Sequence, residues 1–257
     1  MRDILAALAA GDMSVEEAEG ALKGYITGEN GRFDVAREQR RGIPEAILAA
    51  GKTPAEVASL CDTALSGTGR AIVTRSSENH REAIRSRLDE GPPGVILEVD
   101  ERSGVVIACM PDYDRPTLDA TVGVIAAGTA DAGPAGEAAI IAREIGATVT
   151  RIDDVGVANL TRITDQLPTI RGFDVVVVAA GREGALPTVV AGLVSAPVIG
   201  LPISTGYGYG GNGNAALSGM LQSCTILSVV NIDAGFVAGA QAGLIARTVD
   251  RALTPSK

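Results

Sequence analysis

The sequence predicts an α/β chain. Its C-terminal part reads as a five-stranded parallel three-layer domain, and a smaller helical plus mixed α/β region precedes it. Three observations carry this. From Thr121 onward, apolar strand-like runs alternate with helical patterns. The runs are apolar without interruption, as in a parallel sheet covered on both faces. There are five of them, the number in a flavodoxin-like or Rossmann-like domain. The stretch from Met110 to Thr121, with two prolines and three aspartates, lacks periodicity and reads as a boundary. The expected division is residues 1–112 and 121–257.

In the first part, Ser14 and Glu17 have capping-box spacing at the start of a helix reaching about Lys23. Thr53-Pro54-Ala55-Glu56 is a second such start, with Pro at the first helical position. Ala71–Thr74 is a short apolar run, and Glu78–Leu88 a charged helix on which His80 is expected at the surface. Val95–Val99 and Gly104–Cys109 read as strands around the turn Asp100–Ser103. In the second part, strands are expected at Val122–Ala126, Thr148–Ile152, Val175–Ala179, Pro197–Leu201 and Leu227–Asn231. Helical patterns fall at Gly136–Ile145, Val157–Gln166, Leu186–Leu193, Ala215–Gln222 and Val237–Ala252.

Composition narrows the function. The 257 residues are 46% hydrophobic but only 3% aromatic, so Ala, Val, Ile and Leu must fill the core. A net charge of −9 argues against a nucleic-acid backbone footprint. No apolar stretch reaches the ~18 residues that span a bilayer, and the first residues carry acids where a signal peptide needs a basic flank. The expected location is the cytoplasm. Only three of the 22 basic residues are Lys, which fits a high-salt cytosol or a codon bias equally and reports no function. Three scattered cysteines show no metal or disulfide spacing. A single histidine removes His-based zinc sites and Ser-His or Cys-His hydrolases. Proton transfer must therefore rely mainly on carboxylates, thiols or water.

Ligands of open parallel sheets bind beyond the carboxyl ends of the strands. The five segments there are Ala127–Asp131, Asp153–Gly156, Ala180–Gly184, Pro202–Asn214 and Asn231–Gly235. Each contains Gly, which lets backbone N–H groups approach a phosphate. Neither a GxxxxGK[ST] loop nor a GxGxxG after the first strand is present, which weakens ATPase and ordinary dehydrogenase readings. Five Gly and two Asn within Ser204–Asn214 have no packing value in the sequence. The segment reads as a floppy surface loop or as a ligand-closing or subunit-contact loop, the latter favoured because both its tyrosines lie there. Glu183 reads equally as a helix N-terminal charge or a general base. Asp131 and Asp233 carry the same two readings, with phosphate-bound magnesium as the functional option. Cys224 reads as small packing or as a nucleophile.

The segments GTADAGPAGEAA (128–139), AAGREGALPTVVAGLVSAPVIGLPISTGYG (179–208), ALSGMLQSC (216–224), VVNIDAGFVAG (229–239) and FDVAREQRRGIPEAILAAGKT (33–53), with the Arg75 region, resemble the LarB family. Its members are pyridinium-3,5-biscarboxylic acid mononucleotide synthases of nickel-pincer nucleotide biosynthesis. Their C-terminal domain is similar to PurE, the aminoimidazole ribonucleotide carboxylase/mutase. The resemblance implies that nicotinic acid adenine dinucleotide is carboxylated with CO₂ or bicarbonate and hydrolysed to release AMP. It implies that Cys224 is the nucleophile and Glu183 the proton acceptor. It further implies that Gly128, Thr129 and Asp131 hold the ribose-phosphate, that Gly181 binds substrate, that Gly206 and Gly208 lie along the nucleotide, and that Asp233 lies near phosphate or Mg²⁺. The chain departs from the family pattern at Ala234, where Asn is usual, and at Ala132–Ala135, where an apolar-Pro-Val run is usual.

Cys224 follows a helix and precedes a strand, which puts it at the amino ends of the strands. Either that helix stops short or a homo-oligomer completes the site across subunits, as PurE-like octamers would permit; the interface is the favoured reading. The rivals are a PurE-type carboxylase/mutase and a non-catalytic nucleotide-binding module. The first leans on histidine chemistry, and the second has no use for Cys224.

Overall fold

The computed structural model describes residues 2–206 and 208–253. The chain divides into two compact units, Met1–Asp114 and Arg115–Lys257.

The first unit opens with helices α1 (Arg2–Ala10) and α2 (Val15–Lys23), a hairpin of β1 (Ile26–Gly28) and β2 (Gly31–Phe33), and the Arg-rich turn α3 (Arg37–Arg41). Then follow β3 (Ile47–Leu48), α4 (Pro54–Thr68), β4 (Arg70–Thr74), α5 (Glu78–Asp89), β5 (Ile96–Asp100) and β6 (Val105–Cys109). Four of these strands make a mixed sheet in the order β3-β4-β6-β5. Its core joins Val57, Leu60, Cys61 and Leu65 of α4 and Ile84 of α5 to Ala71, Val73 and Val106. Burial pushes the Cys61 thiol up to about 12, which keeps it inert.

α2 begins directly after Ser14; the Glu17 side chain that would close its capping box lies outside the described residues. The second box is present: Thr53 accepts from the Glu56 N–H, and the Glu56 carboxylate accepts from the Thr53 N–H at 2.7 Å. The Thr53 N–H and the Thr53 hydroxyl, both donating to the Glu56 carboxylate, hold its carboxyl below the ordinary value. His80 corrects the surface expectation, because it is 92% buried. Its Nδ1 accepts from the Ser77 N–H at 3.0 Å, and its Nε2 faces the Lys52 carbonyl at 2.9 Å, which requires the proton on Nε2. The single imidazole of the chain caps a helix.

The second unit runs β7 (Thr121–Ala126), a 3₁₀ turn (Thr129–Asp131), α6 (Ala132–Glu144), β8 (Thr148–Ile152), α7 (Leu160–Thr164), α8 (Leu167–Ile170), β9 (Val175–Ala180), α9 (Ala185–Ala191), β10 (Val198–Pro202), α10 (Asn214–Leu221), β11 (Ser228–Val229) and α11 (Gly235–Leu253). All five strands are parallel, ordered β11-β10-β9-β7-β8. That is the flavodoxin-like order, with its switch point between β7 and β9. Alternate residues feed the two faces. Val122, Val124, Val175 and Val177 meet α6 and α11 on one face. Ile125, Val176 and Val178 meet Ile163, Ile170, Leu186 and Met220 on the other. Burial on both faces is why the runs carry no polar alternation, and each such side chain contributes about 1.5–3 kcal/mol. α6 and α11 approach closely through alanines and glycines, which is how so few aromatics suffice.

Three expected elements differ most in extent. α6 starts four residues earlier than expected, because Pro134 sits in its first turn, where a missing N–H costs nothing. Of the helix expected over Val157–Gln166 only α7 forms, capped by Asn159, and a second short helix, α8, follows beyond Gln166. β11 keeps two residues of an expected five, being an edge strand paired only to β10. In the glycine-rich loop, Gly213 does have packing value: a Cβ there would stand 2.7 Å from Ile232. Tyr209 is fully exposed, and Tyr207 lies outside the described residues. Among the described residues, no helix is long and apolar enough to cross a membrane.

Candidate active site

A cleft of about 580 Å³ opens over the switch point, where β7 and β9 send their loops to opposite sides. Gly128 and Asp131 after β7, Gly156 and Val157 after β8, Gly181 to Glu183 after β9, and Thr205 and Gly206 after β10 line it. A smaller hollow of about 290 Å³ shares Arg182, Glu183, Thr205 and Gly206 with it and extends toward Gly210 and Gly213. Four residues of this carboxyl edge other than glycine adopt the left-handed backbone: Asp154, Arg182, Asn212 and Asp233. Such conformations cost of order 1–3 kcal/mol each and concentrate at functional sites.

The structure thus gathers Gly128, Asp131, Gly181, Glu183 and Gly206 around one cleft. Thr129 is exposed on the same turn without lining the cleft. Gly208 belongs to the glycine-rich loop and lines neither hollow.

Asp131 is buried, and its carboxylate accepts from the Gly128 N–H at 2.8 Å and from the Gly181 N–H. It therefore clamps the β7 loop to the β9 loop. Burial raises its carboxyl above the ordinary 3.8, and the two N–H bonds oppose the rise. A raised folded-state value means that the stability this group contributes is full below the unfolded value and lost as pH rises through the folded one. We expect the unfolding free energy of the wild type, less that of Asp131→Asn, to fall as pH rises above 3.8 and then level off. Chemical denaturation across pH measures it; a difference that grows with pH would contradict the burial argument.

Glu183 stands at the start of α9, between left-handed Arg182 (φ 53°) and left-handed Gly184 (φ 69°). The Gly184 N–H donates to the Gly181 carbonyl at 2.9 Å and closes the turn. α10 packs onto this turn through glycines. A Cβ on Gly219 would lie 2.3 Å from the Glu183 carbonyl oxygen, and one on Gly184 would lie 2.6 Å from the Ala216 carbonyl oxygen.

Asp233 lines neither hollow. Its Oδ1 accepts from the Ser204 N–H at 2.9 Å, and its own N–H donates to the Pro202 carbonyl, so it ties the β11 loop to the start of the glycine-rich loop. Among the described residues, no three His, Cys, Asp or Glu side chains are grouped to hold a metal ion.

Cys224 is exposed between α10 and β11, at the amino edge of the sheet and opposite the cleft. Hydroxyls pin its loop to α9: the Thr188 Oγ1 donates to the Ser223 Oγ at 2.9 Å, and the Thr225 Oγ1 donates to the Thr188 carbonyl at 3.3 Å. Leu221 and Ile226 flank the thiol with exposed apolar surface, Ile226 being 97% exposed. Sequence reasoning missed this pin, although Ser and Thr on either side of the cysteine were its visible signal. It also missed the apolar wall of Val157, Ala158 and Leu186, which no local pattern marks.

Comparison with known proteins agrees with this architecture. Residues 27–108 match the LarB/PurE-like N-terminal domain family, and residues 121–254 match the AIR carboxylase family. The uncharacterized protein MJ0165 of Methanocaldococcus jannaschii is 33% identical over 98% of both chains. Among solved structures, Treponema denticola PurE is 19% identical, with a TM-score of 0.41 over 52% of this chain and 80% of that one. A variant of Treponema denticola PurE2 is 21% identical, with a TM-score of 0.38 over 55% of this chain and 82% of that one. With an AIR carboxylase domain behind a LarB-type N-terminal domain and a full-length relative, the chain belongs to the LarB-like AIR carboxylase family, a family of carboxylase-type enzymes.

Proposed function

We propose that the protein carboxylates the pyridinium ring of nicotinic acid adenine dinucleotide at C5 and hydrolyses its phosphoanhydride, giving pyridinium-3,5-biscarboxylic acid mononucleotide and AMP. One observation carries the reading: the carboxylate at the mouth of the cleft, Glu183, belongs to an AIR-carboxylase-type domain without a single histidine. A carboxylate is the base that this composition offers there, and a carbon nucleophile has to be generated without imidazole from this domain.

A pyridinium ring is electron-poor and does not attack CO₂. Addition of the Cys224 thiolate to a ring carbon beside C5 forms a C–S bond and shifts a ring electron pair into an enamine, whose C5 is nucleophilic. C5 bonds to CO₂; Glu183 takes the C5 proton; the released pair restores the aromatic ring and expels the thiolate. The net change is one carboxylate gained and one proton lost. Water then adds to a phosphorus of the anhydride, and AMP leaves. Because Cys224 and Glu183 lie at opposite edges of one sheet, we assign the thiol to a second copy of the chain, whose exposed Leu221–Ile226 segment would enter the cleft.

Incubation with nicotinic acid adenine dinucleotide, bicarbonate and Mg²⁺, read by mass spectrometry, tests this. The expected products are AMP and a mononucleotide heavier by one carboxyl group. Carboxylation of aminoimidazole ribonucleotide instead, or no product from the dinucleotide, overturns the reading.

A further inference from the structure

The cleft and the smaller hollow beside it hold one cation between them. Among the described residues, Arg182 is the only basic one lining either, against the acids Asp131 and Glu183. The chain itself carries −9. A phosphate-bearing ligand entering this mouth meets repulsion from both carboxylates, and only Arg182 answers it with charge. Its position is shared by the two hollows, together with Glu183, Thr205 and Gly206. On one side lie the apolar Val157, Ala158 and Leu186, suited to an aromatic ring. On the other lie Gly210 and Gly213, where backbone can approach a second group closely. The larger volume, about 580 Å³, falls within the span of small-molecule sites, and the smaller, about 290 Å³, lies at its lower edge.

The backbone gives independent support. Of the five non-glycine residues with left-handed φ, three are Asp or Asn, whose short side chains relieve that conformation locally. Arg182, at φ 53°, is a long side chain held in that conformation, as is Arg75 at φ 55°. The fold keeps it there nonetheless, at the ridge between two hollows.

We propose that Arg182 binds the phosphoanhydride of a two-headed nucleotide, one head in each hollow, with the Thr205 hydroxyl and the Gly206 N–H as neutral donors beside it. This deepens the dinucleotide reading and rests on it. It makes Arg182 a specificity-determining residue: a ligand with two linked phosphates spans the ridge, and a nucleoside without phosphate does not use it.

Calorimetric titration of the full-length protein with AMP, inorganic pyrophosphate and adenosine tests the assignment, with circular dichroism as the check of fold. Arg182→Gln is expected to weaken AMP and pyrophosphate by about ten- to a hundredfold and leave adenosine unchanged, since a charge-assisted bond is lost while shape is kept. Arg182→Lys is expected to restore most of the affinity. Raising salt should weaken AMP binding to the wild type and not to Arg182→Gln. Wild-type protein that binds neither AMP nor pyrophosphate, equal losses for adenosine and AMP, or an unchanged Arg182→Gln would overturn the proposal. The two readings fail separately. Arg182-dependent phosphate binding without carboxylation of the dinucleotide sinks only the reaction. Full carboxylation by Arg182→Gln at an unchanged KM sinks only the role of Arg182.

Discussion

Two inactive variants, mixed, are expected to regain activity. Cys224→Ala should lose carboxylation by about 10⁴-fold or more, as when a covalent nucleophile is removed. Glu183→Gln should lose about 10²–10⁴-fold, the range of a general base. Neither should change stability much, because both side chains are exposed. If a site takes its thiol from one chain and its carboxylate from another, co-expressed variants assemble some sites with both groups intact. Random assembly puts an intact cleft beside an intact thiol in about a quarter of sites, so the mixture should recover about a quarter of wild-type activity. If both groups act from one chain, every chain lacks one of them and the mixture stays dead. The structure makes the test sharp, since the sheet separates the Cys224 loop from the cleft. Mass spectrometry of products from co-purified, differently tagged chains reads it. Recovery in neither variant nor mixture, with wild type active, would refute the shared site.

The same separation is legible in the sequence. Cys224 comes after a helical pattern and before an apolar run, and in a parallel sheet that order fixes the amino edge. The strands β7, β9 and β10 were equally readable, since burial on both faces leaves an unbroken apolar run. What could not be read depends on distant partners. His80 sits in a charged helix, and only the Lys52 carbonyl, 28 residues away, explains its burial. Asp131 resembles any turn aspartate until the Gly181 loop closes over it. Asp233, a candidate metal ligand by position, accepts from the Ser204 N–H, 29 residues away, a bond that no local pattern marks. The β1–β2 hairpin escaped because three-residue strands carry no period, although Asn30-Gly31 between them was a turn signal. Local chemistry is thus written in local sequence, and the geometry of the cleft is written in loops that meet only after the sheet forms.

Gly184→Ala should be among the most damaging single methyl additions in the chain. The residue holds φ at 69°, where a Cβ costs about 1–2 kcal/mol. The same Cβ would stand 2.6 Å from the Ala216 carbonyl oxygen and 2.9 Å from its Cα, both backbone atoms of α10, so no rotamer change can relieve the clash. Overpacking of this kind costs about 1–3 kcal/mol. The total of about 2–5 kcal/mol corresponds to a fall in melting temperature of roughly 5–15 °C for a chain of this size. Gly208→Ala separates the two contributions: φ is 92° there, but nothing lies within 4 Å of the added carbon. It should lose only the strain, about 1–2 kcal/mol. The effect on function goes further, because Gly184 follows Glu183 directly and α10 runs on into the Cys224 loop. A helix pushed outward moves both proposed catalytic groups, each in its own copy of the site. A displacement of about 1 Å can cost a hundredfold in rate, so kcat should drop even at temperatures where the variant stays folded. Equal losses of stability in Gly184→Ala and Gly208→Ala would refute the packing argument, and a stable Gly184→Ala with wild-type kcat would refute the link between α10 and the site.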